Sequence, residues 1–250
     1  MSIRLVLVRH GLSSFNEKGL VQGRTDDSYL TDKGYEQALK SGEALSGINF
    51  DKIYSSPLVR AAETAKTIQK NLKGENNIIY DKNLLEVDLG SWSGLTINEI
   101  KNKYPEDYLL WKNDPENLTL ESIHNSTYQP IKELYEQANE FIKSIFKIYL
   151  EKQEANILII GHNAILRCLI LLLIGKPKKG FRKIKLDNAS FSILNIVKQR
   201  HSYKTQIECL NQTSHLDKRI PDQIGDSRIF LVRHGETNWN KEGRFQGQIN

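Results

Sequence analysis

The sequence has few cysteines and no recognisable metal-binding motif. Cys168 and Cys209 are the only two cysteines among 250 residues, and they lie in apolar stretches without a CxxC pattern. A chain of this length with two such cysteines is not a disulfide scaffold, so we expect both to be core thiols. The HExxH, paired-aspartate and clustered His/Cys spacings of metal sites are also missing. We therefore expect neither a metal nor another cofactor.

Long apolar runs are missing as well. The densest apolar stretch, residues 168–174, is far shorter than the roughly 20 apolar residues of a membrane span, and it predicts a buried helix. Between Arg4 and Arg9 the N-terminus offers only four apolar residues, too few for the apolar segment of a signal peptide. These absences predict a cytoplasmic protein without a membrane partner.

The excess of positive charge is small. Lys and Arg number 35 against 30 Asp and Glu, a formal net charge of +5. The basic residues are scattered among acidic ones, and the densest basic run, residues 176–185, falls in a predicted loop. No aromatic-interleaved basic stripe or nucleic-acid motif accompanies it, so the charge pattern favours a small anionic molecule over nucleic acid.

Short apolar runs alternate with stretches of helical periodicity. The runs cover residues 3–8, 52–54, 157–160 and 190–197, and each ends in turn residues. Such alternation is typical of an α/β domain with parallel strands. We therefore expect a three-layer sandwich, in which a mostly parallel, twisted sheet has helices on both faces.

Several helix starts can be predicted from capping residues. Ser56 is a natural N-cap and Pro57 suits the first position of the helix that follows. Thr31 and Pro130 are expected to open two further helices, and a strongly apolar helix is expected from about Ala164. By contrast, residues 98–129 are polar and include two prolines that favour breaks. We expect that segment to be an irregular excursion over the mouth of the site.

The sequence repeats its own beginning near its end. A shift of 224 residues aligns residues 4–26 with residues 228–250, and ten of the 23 pairs are identical, including RHG and QG. Chance similarity would rarely keep these motifs in register. We expect a complete domain at residues 1–216, a linker at residues 217–226 and the start of a second copy at residues 227–250.

The strongest chemical signal is the motif LVRHG, which places Arg9 and His10 where a buried strand gives way to a loop. In open α/β sheets, ligands bind beyond the carboxyl ends of strands, so a reactive group is expected here. His162 has the same placement after the run at residues 157–160. Arg60 falls in the first turn of a helix, where free N–H groups already favour an anion. Glu86 lies among apolar and glycine residues, a setting that suits proton transfer.

Together these motifs resemble the histidine phosphatase superfamily, which includes phosphoglycerate mutases and many small-molecule phosphatases. The resemblance spans residues 3–216. It rests on LVRHGLSSFN, QGRTDDSYLTDKGYEQA, IYSSPLVRAAETA, LLEVDLGSWSG, IIGHNAILR and LNQTSHL. One departure is Leu12, which stands where many members have glutamate.

The resemblance implies a role for each of these residues. His10 would be the nucleophile and Glu86 the proton donor, while Arg9, Arg60 and a protonated His162 would hold the phosphate. Contacts with phosphate or substrate are expected from Asn16, Gln22, Gly23 and Asn163. The implied activity is metal-independent hydrolysis of a small phosphomonoester through a phosphohistidine, by a protein that could form a homodimer.

Two alternatives remain open. A cofactor-dependent phosphoglycerate mutase would return the phosphoryl group to a second acceptor. Mutases carry Arg-His-Tyr-Gly after the acid–base glutamate, whereas Val87 and Leu89 occupy the places of the Arg and the Tyr here, which favours water as acceptor. The chain could also be a non-catalytic binding or regulatory domain of the same fold, although such a domain needs neither a nucleophile nor a proton donor.

Overall fold

The computed structural model describes residues 2–74, 77–121, 126–151, 154–177, 179–200, 202–217 and 229–244, and the chain divides into two units, Met1–Ile220 and Pro221–Asn250. The strands of the described residues are β1 (Ser2–Arg9), β2 (Lys52–Ser55), β3 (Ile78–Tyr80), β4 (Leu120–Glu121), β5 (Thr127–Tyr128), β6 (Glu154–Gly161), β7 (Phe191–Lys198) and β8 (Tyr203–Gln212). The helices are α1 (Ser14–Glu17), α2 (Asp32–Leu45), α3 (Val59–Gln69), α4 (Ile97–Lys103), α5 (Pro105–Asn113), α6 (Pro130–Tyr149), α7 (Asn163–Leu173) and α8 (Asn238–Lys241).

The first unit is organised around a six-stranded sheet with the strand order β3-β2-β6-β1-β7-β8. The first four strands are mutually parallel, which confirms the mostly parallel sheet. The fourth apolar run of the sequence, however, forms β7, which pairs antiparallel with β1. β8 continues this antiparallel edge. Periodicity cannot reveal strand direction, because a buried strand reads the same either way.

Alternate residues of the central strands face two different cores. Leu5 and Leu7 of β1 belong to a core shared with α6 and α7. Val6 and Val8 point the other way, into a core shared with α2 and α3. Because side chains alternate across a strand, the four consecutive apolar residues at 5–8 bury both faces of β1. The three-layer arrangement is therefore confirmed.

Most predicted helix starts agree with the structure. Thr31 is the N-cap of α2, and Pro130 is the first residue of α6. Helix α7 begins at Asn163, one residue before the expected start, and contains the apolar stretch at residues 168–173.

The start of α3 differs from the prediction. The helix begins at Val59 with Leu58 as its N-cap, not at Pro57 with Ser56 as the cap. The backbone N–H of Ser56 donates to the carbonyl of Ile160 at 3.0 Å, so the chain is still bound to β6 at this point. Ser56 Oγ instead accepts a hydrogen bond from the N–H of Leu58 at 3.3 Å.

The segment at residues 98–129 is not the irregular excursion that its composition predicted. It contains most of α4, all of α5 and the short β4–β5 pair. Thr96 and Glu99 form a capping box at the start of α4. Pro105 is the first residue of α5, a position where its missing N–H removes no helical hydrogen bond, so this proline starts a helix and does not break one.

The two cysteines lie in different environments. Cys168 is buried in α7, as expected, whereas Cys209 on β8 is only partly buried. The expectation of two core thiols is therefore half right, because β8 is an edge strand with little cover. No helix among the described residues is long and apolar enough to cross a membrane.

The second unit contains a short helix that matches its counterpart in the first. Helix α8 lies 224 residues after α1, and both have four residues. Thr237 caps α8 by accepting from the N–H of Asn240, as Ser13 caps α1 by accepting from the N–H of Asn16. Of the predicted linker, residues 217–226, only Asp217 lies within the described residues.

Candidate active site

Two histidines meet at the carboxyl ends of neighbouring parallel strands. His10 follows β1, and its backbone N–H donates to the carbonyl of Gly161, the last residue of β6. His162 comes next in the chain and is the N-cap of α7. The ring centroids of the two histidines are 5.1 Å apart, and both side chains are buried. The sheet thus brings together two residues separated by more than 150 positions.

The backbone fixes the orientation of His10. Its Nδ1 lies 2.7 Å from the carbonyl oxygen of Gly11. A carbonyl oxygen only accepts, so Nδ1 must carry the proton and the neutral ring keeps a lone pair on Nε2. Gly11 is required by packing, because a Cβ there would lie 2.3 Å from the carbonyl oxygen of Gly34 in α2.

The surroundings of both histidines favour the neutral form of the ring. Burial, followed by the positive charges of Arg60 and Arg9, lowers the pKa of His10 well below its usual 6.5. Burial and Arg60 lower the pKa of His162 in the same way. The expectation that His162 is protonated when it holds phosphate stays a prediction, and burial acts against it. His162 Nε2 lies 2.8 Å from Ser56 Oγ.

Two arginines are held beside the histidines by carbonyl oxygens. Arg60, fully buried in the first turn of α3, donates to the carbonyls of Thr25 and Gly23, both at 2.8 Å. Arg9 donates to the carbonyl of Leu186 at 2.7 Å. The Nε atoms of both arginines are buried without a hydrogen-bond partner among the described residues. Burial lowers the pKa of each arginine to about 10, which leaves both charged at pH 7.

The carboxylate of Glu86 lies at the N-terminus of α7. Its Oε1 accepts hydrogen bonds from the N–H groups of Ala164 at 3.1 Å and Ile165 at 3.2 Å. These groups belong to the first turn of the helix, where backbone donors have no partner within the helix. Glu86 is therefore placed by the same helix that begins next to His162.

These side chains surround one open cavity with an empty volume of about 650 Å³. Eight of the nine residues singled out in the sequence line it: Arg9, His10, Asn16, Gln22, Gly23, Arg60, Glu86 and Asn163. The ninth, His162, is buried next to the ring of His10. The same cavity is also lined by Val87 and Leu89.

Asn16 is fixed by the loop that follows His10. The amide nitrogen of Asn188 donates to Asn16 Oδ1 at 2.9 Å, and it also reaches the carbonyl oxygens of His10 and Gly11 at 3.1 Å. Ser13 Oγ lies within 3.0 Å of Asn16 Oδ1. Asn188 therefore ties Asn16 to the backbone around His10, a contact that sequence spacing could not reveal.

Comparison with known proteins agrees with this geometry. The family model described as "Histidine phosphatase superfamily (branch 1)" matches residues 5–209 and, separately, residues 229–250. The chain belongs to this superfamily.

Individual relatives give the same result. The chain is 33% identical over 242 residues to a protein of Arabidopsis thaliana named "Probable 2-carboxy-D-arabinitol-1-phosphatase", covering 94% of this chain and 48% of that protein. It thus spans about half the length of that relative. It is 31% identical to phosphoserine phosphatase 1 of Hydrogenobacter thermophilus, with 86% of this chain and 94% of that enzyme covered. The solved structure of Bacillus stearothermophilus YhfR matches with a TM-score of 0.74 at 26% identity, covering 86% of this chain and 99% of the other.

Several residues that line this cavity were not predicted from the sequence. They are Leu20, Trp111, Ala164, Arg167, Phe181 and Arg182. Helical spacing could have indicated Arg167, because it lies four residues after Asn163 on one face of α7. Trp111 comes from the segment expected over the mouth, and Arg182 from the basic run. No group of three or more potential metal-ligating His, Cys, Asp or Glu side chains occurs among the described residues.

Proposed function

We propose that the chain is a phosphomonoester hydrolase in which His10 carries the phosphoryl group. The observation that carries this proposal is the orientation of His10. Its Nδ1 donates a hydrogen bond to the carbonyl of Gly11, so the lone pair on Nε2 is available in a cavity shared with two arginines and Glu86. A fixed neutral imidazole is what nucleophilic attack on phosphorus requires.

In the first step, His10 Nε2 forms a bond to phosphorus while the bond between phosphorus and the ester oxygen breaks. Arg9 and Arg60 stabilise the negative charge on the phosphoryl oxygens, and phosphoryl transfer depends mainly on this kind of positioning and charge stabilisation. Neutral His162 can donate a hydrogen bond from whichever nitrogen carries its proton. Glu86 gives a proton to the leaving oxygen, so the alcohol departs neutral.

In the second step, Glu86 acts as the base. As a carboxylate it takes a proton from water, the water oxygen attacks phosphorus, and the bond between phosphorus and Nε2 breaks. Phosphate leaves, His10 is again neutral, and Glu86 is again protonated. The two steps consume one water and regenerate each side chain.

The cavity supports water as acceptor and a small phosphomonoester as substrate. Val87 and Leu89 line it where mutases carry the Arg and Tyr that hold their substrate, and neither apolar side chain can replace those contacts. The relatives named above as phosphatases act, by their names, on phosphoserine and on 2-carboxy-D-arabinitol 1-phosphate. We infer a substrate of similar size.

The test is trapping of the phosphoenzyme. Rapid quench with a 32P-labelled phosphomonoester should give an acid-labile, base-stable label on the wild-type chain, followed by release of inorganic phosphate. His10→Ala should give neither label nor turnover, whereas His234→Asn, which replaces an exposed histidine of the second unit, should keep both. Conversion of 3-phosphoglycerate to its isomer, dependent on bisphosphoglycerate, would favour the mutase, and a chain that never forms phosphohistidine would be a binding domain.

A further inference from the structure

One wall of the cavity is built from residues that the proposed chemistry does not use. Arg167 of α7 and Arg182 lie on this wall together with Trp111 of α5 and Phe181. Two arginines thus accompany Arg9 and Arg60 in a single cavity. We call the four residues of this wall the arginine–aromatic wall.

Arg167 has unused hydrogen-bonding capacity. Its Nε is buried and has no hydrogen-bond partner among the described residues. Its guanidinium carbon lies 5.4 Å from the ring centroid of Phe181, a contact that holds the group in place without using its N–H donors. Buried donors are normally satisfied, so an orphaned one that lines a cavity points to a ligand.

Arg182 is held at the rim of the same wall. It is exposed, and its guanidinium carbon lies 4.6 Å from the ring centroid of Trp111 and 5.8 Å from that of Phe181. One of its nitrogens donates to the backbone carbonyl of Trp111. Its other donors form no hydrogen bond with described residues. The aromatic rings therefore fix the direction of a planar fork that suits an anion with two oxygens.

Neither arginine of the wall is neutralised. No carboxylate lies within 4 Å of either guanidinium in the described part of the chain. Partial burial and the charge of Arg167 lower the pKa of Arg182 to about 10, and burial lowers the pKa of Arg167 as well. Arg167 is the more buried of the two, and a cation without a salt bridge there is costly unless a nearby anion offsets it, as the charge of Glu86 does in part.

The net charge of the residues that line the cavity indicates how much negative charge a ligand would carry. Four arginines and one glutamate line it among the described residues. With Glu86 protonated, as the proposed first step requires, a phosphate dianion at His10 balances two of the four positive charges. The two that remain favour a further anionic group on the substrate, and a short acid offers a carboxylate.

The spacing of Asn163 and Arg167 on α7 indicates the distance between the phosphate and the second anionic group of the substrate. Asn163, at the phosphate end, and Arg167 are four residues apart on α7, which corresponds to about 6 Å along the helix. Helical side chains lean towards the N-terminus, so the Arg167 side chain leans back towards Asn163. A substrate with two to four bonds between its phosphate oxygen and its carboxylate spans this distance.

We propose that Arg167 and Arg182 form a second anion subsite, which binds a carboxylate of the substrate whose phosphate lies against His10. The proposal rests on the phosphohydrolase function proposed above. It identifies the substrate class as short phosphorylated carboxylic acids, and it assigns the carboxylate to the arginine–aromatic wall, since the side chains of Val87 and Leu89 are apolar.

The test uses two substrates that differ in one group. 3-Phosphoglycerate and glycerol 3-phosphate have the same skeleton, with a carboxylate in one and a hydroxymethyl group in the other. Charge-assisted bonds to a carboxylate should make kcat/KM for phosphate release about 10- to 100-fold higher for 3-phosphoglycerate in the wild-type chain. Arg167→Met and Arg182→Met should each lower this preference about tenfold, and Arg167→Lys should keep part of it.

Controls separate this inference from the proposed function. Lys143→Met removes an exposed charge on α6 and should leave the preference unchanged. Arg182 is exposed, so its variant should fold even if Arg167→Met does not, and circular dichroism checks both.

Equal kcat/KM for the two substrates, or a preference that both variants retain, would overturn the subsite while leaving the hydrolase intact. The ratio of kcat/KM for fructose 1,6-bisphosphate to that for fructose 6-phosphate gives the preference for a second phosphate. If this ratio exceeds that of 3-phosphoglycerate to glycerol 3-phosphate, the assignment to a carboxylate is wrong. Failure to hydrolyse either substrate or an aryl phosphate would instead contradict the proposed function.

Discussion

Arg24 Nε donates a hydrogen bond to the backbone carbonyl oxygen of Glu86 at 3.0 Å. A second nitrogen of Arg24 donates to Gln137 Oε1, also at 3.0 Å. Gln137 in turn donates from Nε2 to the carbonyls of Leu85 and Asn83, at 2.8 and 3.1 Å. Arg24 and Gln137 therefore brace the loop that carries the proposed acid, without touching its carboxylate.

This bracing predicts that Arg24 is a positioning residue. In Arg24→Met the loop loses its hydrogen bond at Glu86, and proton delivery to the leaving group becomes less accurate. We expect kcat to fall about tenfold on an alkyl phosphate and much less on an aryl phosphate, whose leaving group needs little protonation. The matched control is Lys143→Met. Equal losses on both substrates would show that Arg24 only maintains the fold.

Glu86→Gln tests the acid directly. The substitution removes the proton source but keeps nearly the same size, and general acid catalysis contributes about 10²–10⁴-fold. Alkyl phosphates should therefore suffer a loss of that order, while phosphorylation of His10 by an aryl phosphate should survive better and phosphoenzyme should accumulate. The measurement is rapid quench at the phosphorylation step. If alkyl and aryl phosphates lose the same factor, Glu86 positions the substrate and another group is the acid.

The central strands could be predicted because their apolar runs indicate that both faces are buried. β1 and β6 each contain four consecutive apolar residues, at 5–8 and 157–160, which fits strands covered on both faces, and the histidines after them mark the ends of these strands. β8 was not predicted, since an edge strand with polar residues such as Lys204 and Gln206 carries no such signal. α5 was missed because Pro105 looked like a break although it starts the helix.

The chemistry of the site was easier to predict than its electrostatics. The motifs identified residues that the fold gathers in one cavity, but neither the lowered pKa of His162 nor the arginine–aromatic wall could be predicted. Both depend on burial and on neighbours far apart in sequence. Trp111 and Arg182, for example, are brought into contact by α5 and a turn that follows α7.

The lowered pKa of His162 predicts how stability depends on pH. A histidine that stays neutral in the folded chain but titrates near 6.5 when unfolded stabilises the fold above pH 6.5. This contribution is lost as the pH falls below 6.5, towards the lower folded pKa. Between pH 7.5 and 5.5, His162 should therefore account for a loss of unfolding free energy on the order of 1 kcal/mol.

Urea denaturation at the two pH values measures this loss. His162→Asn should be less stable than wild type at pH 7.5, but its unfolding free energy should fall by roughly 1 kcal/mol less on going to pH 5.5. His234→Asn, which replaces an exposed histidine of the second unit, should leave the pH dependence as it is. If wild type and His162→Asn lose the same free energy, His162 takes up protons equally in the folded and unfolded chains, and folding does not lower its pKa.

Hydrolysis should continue in excess chelator. Arg9 and Arg60 supply the positive charge that would stabilise the phosphoryl oxygens, and the described residues offer no cluster of three potential metal-ligating side chains. We expect kcat for an aryl phosphate to be unchanged after dialysis against EDTA. Loss of activity that a divalent ion restores would contradict the proposed mechanism.

The end of the chain repeats the local structure of its beginning. Helix α8 has the length of α1 and an equivalent N-cap, and the family model matches residues 229–250 separately. The residues corresponding to β1, however, are exposed: Ile229, Leu231 and Val232 each show more than four-fifths of their side-chain surface. We propose that residues 227–250 are the first part of a second domain of the same kind.

A chain ending at Asp217 should keep its fold and its activity. All residues of the proposed site belong to the first unit, Met1–Ile220, which has its own sheet and two cores. Residues 227–250 bring a nucleophile-like His234 but no counterpart of Arg60, Glu86 or His162, so they add no second site.

Removing the exposed apolar side chains should also lower self-association. The measurements are the melting temperature and kcat for an aryl phosphate, with light scattering for association. If the shortened chain unfolds or loses hydrolysis, the repeated strand belongs to the first sheet and the boundary at Asp217 is wrong.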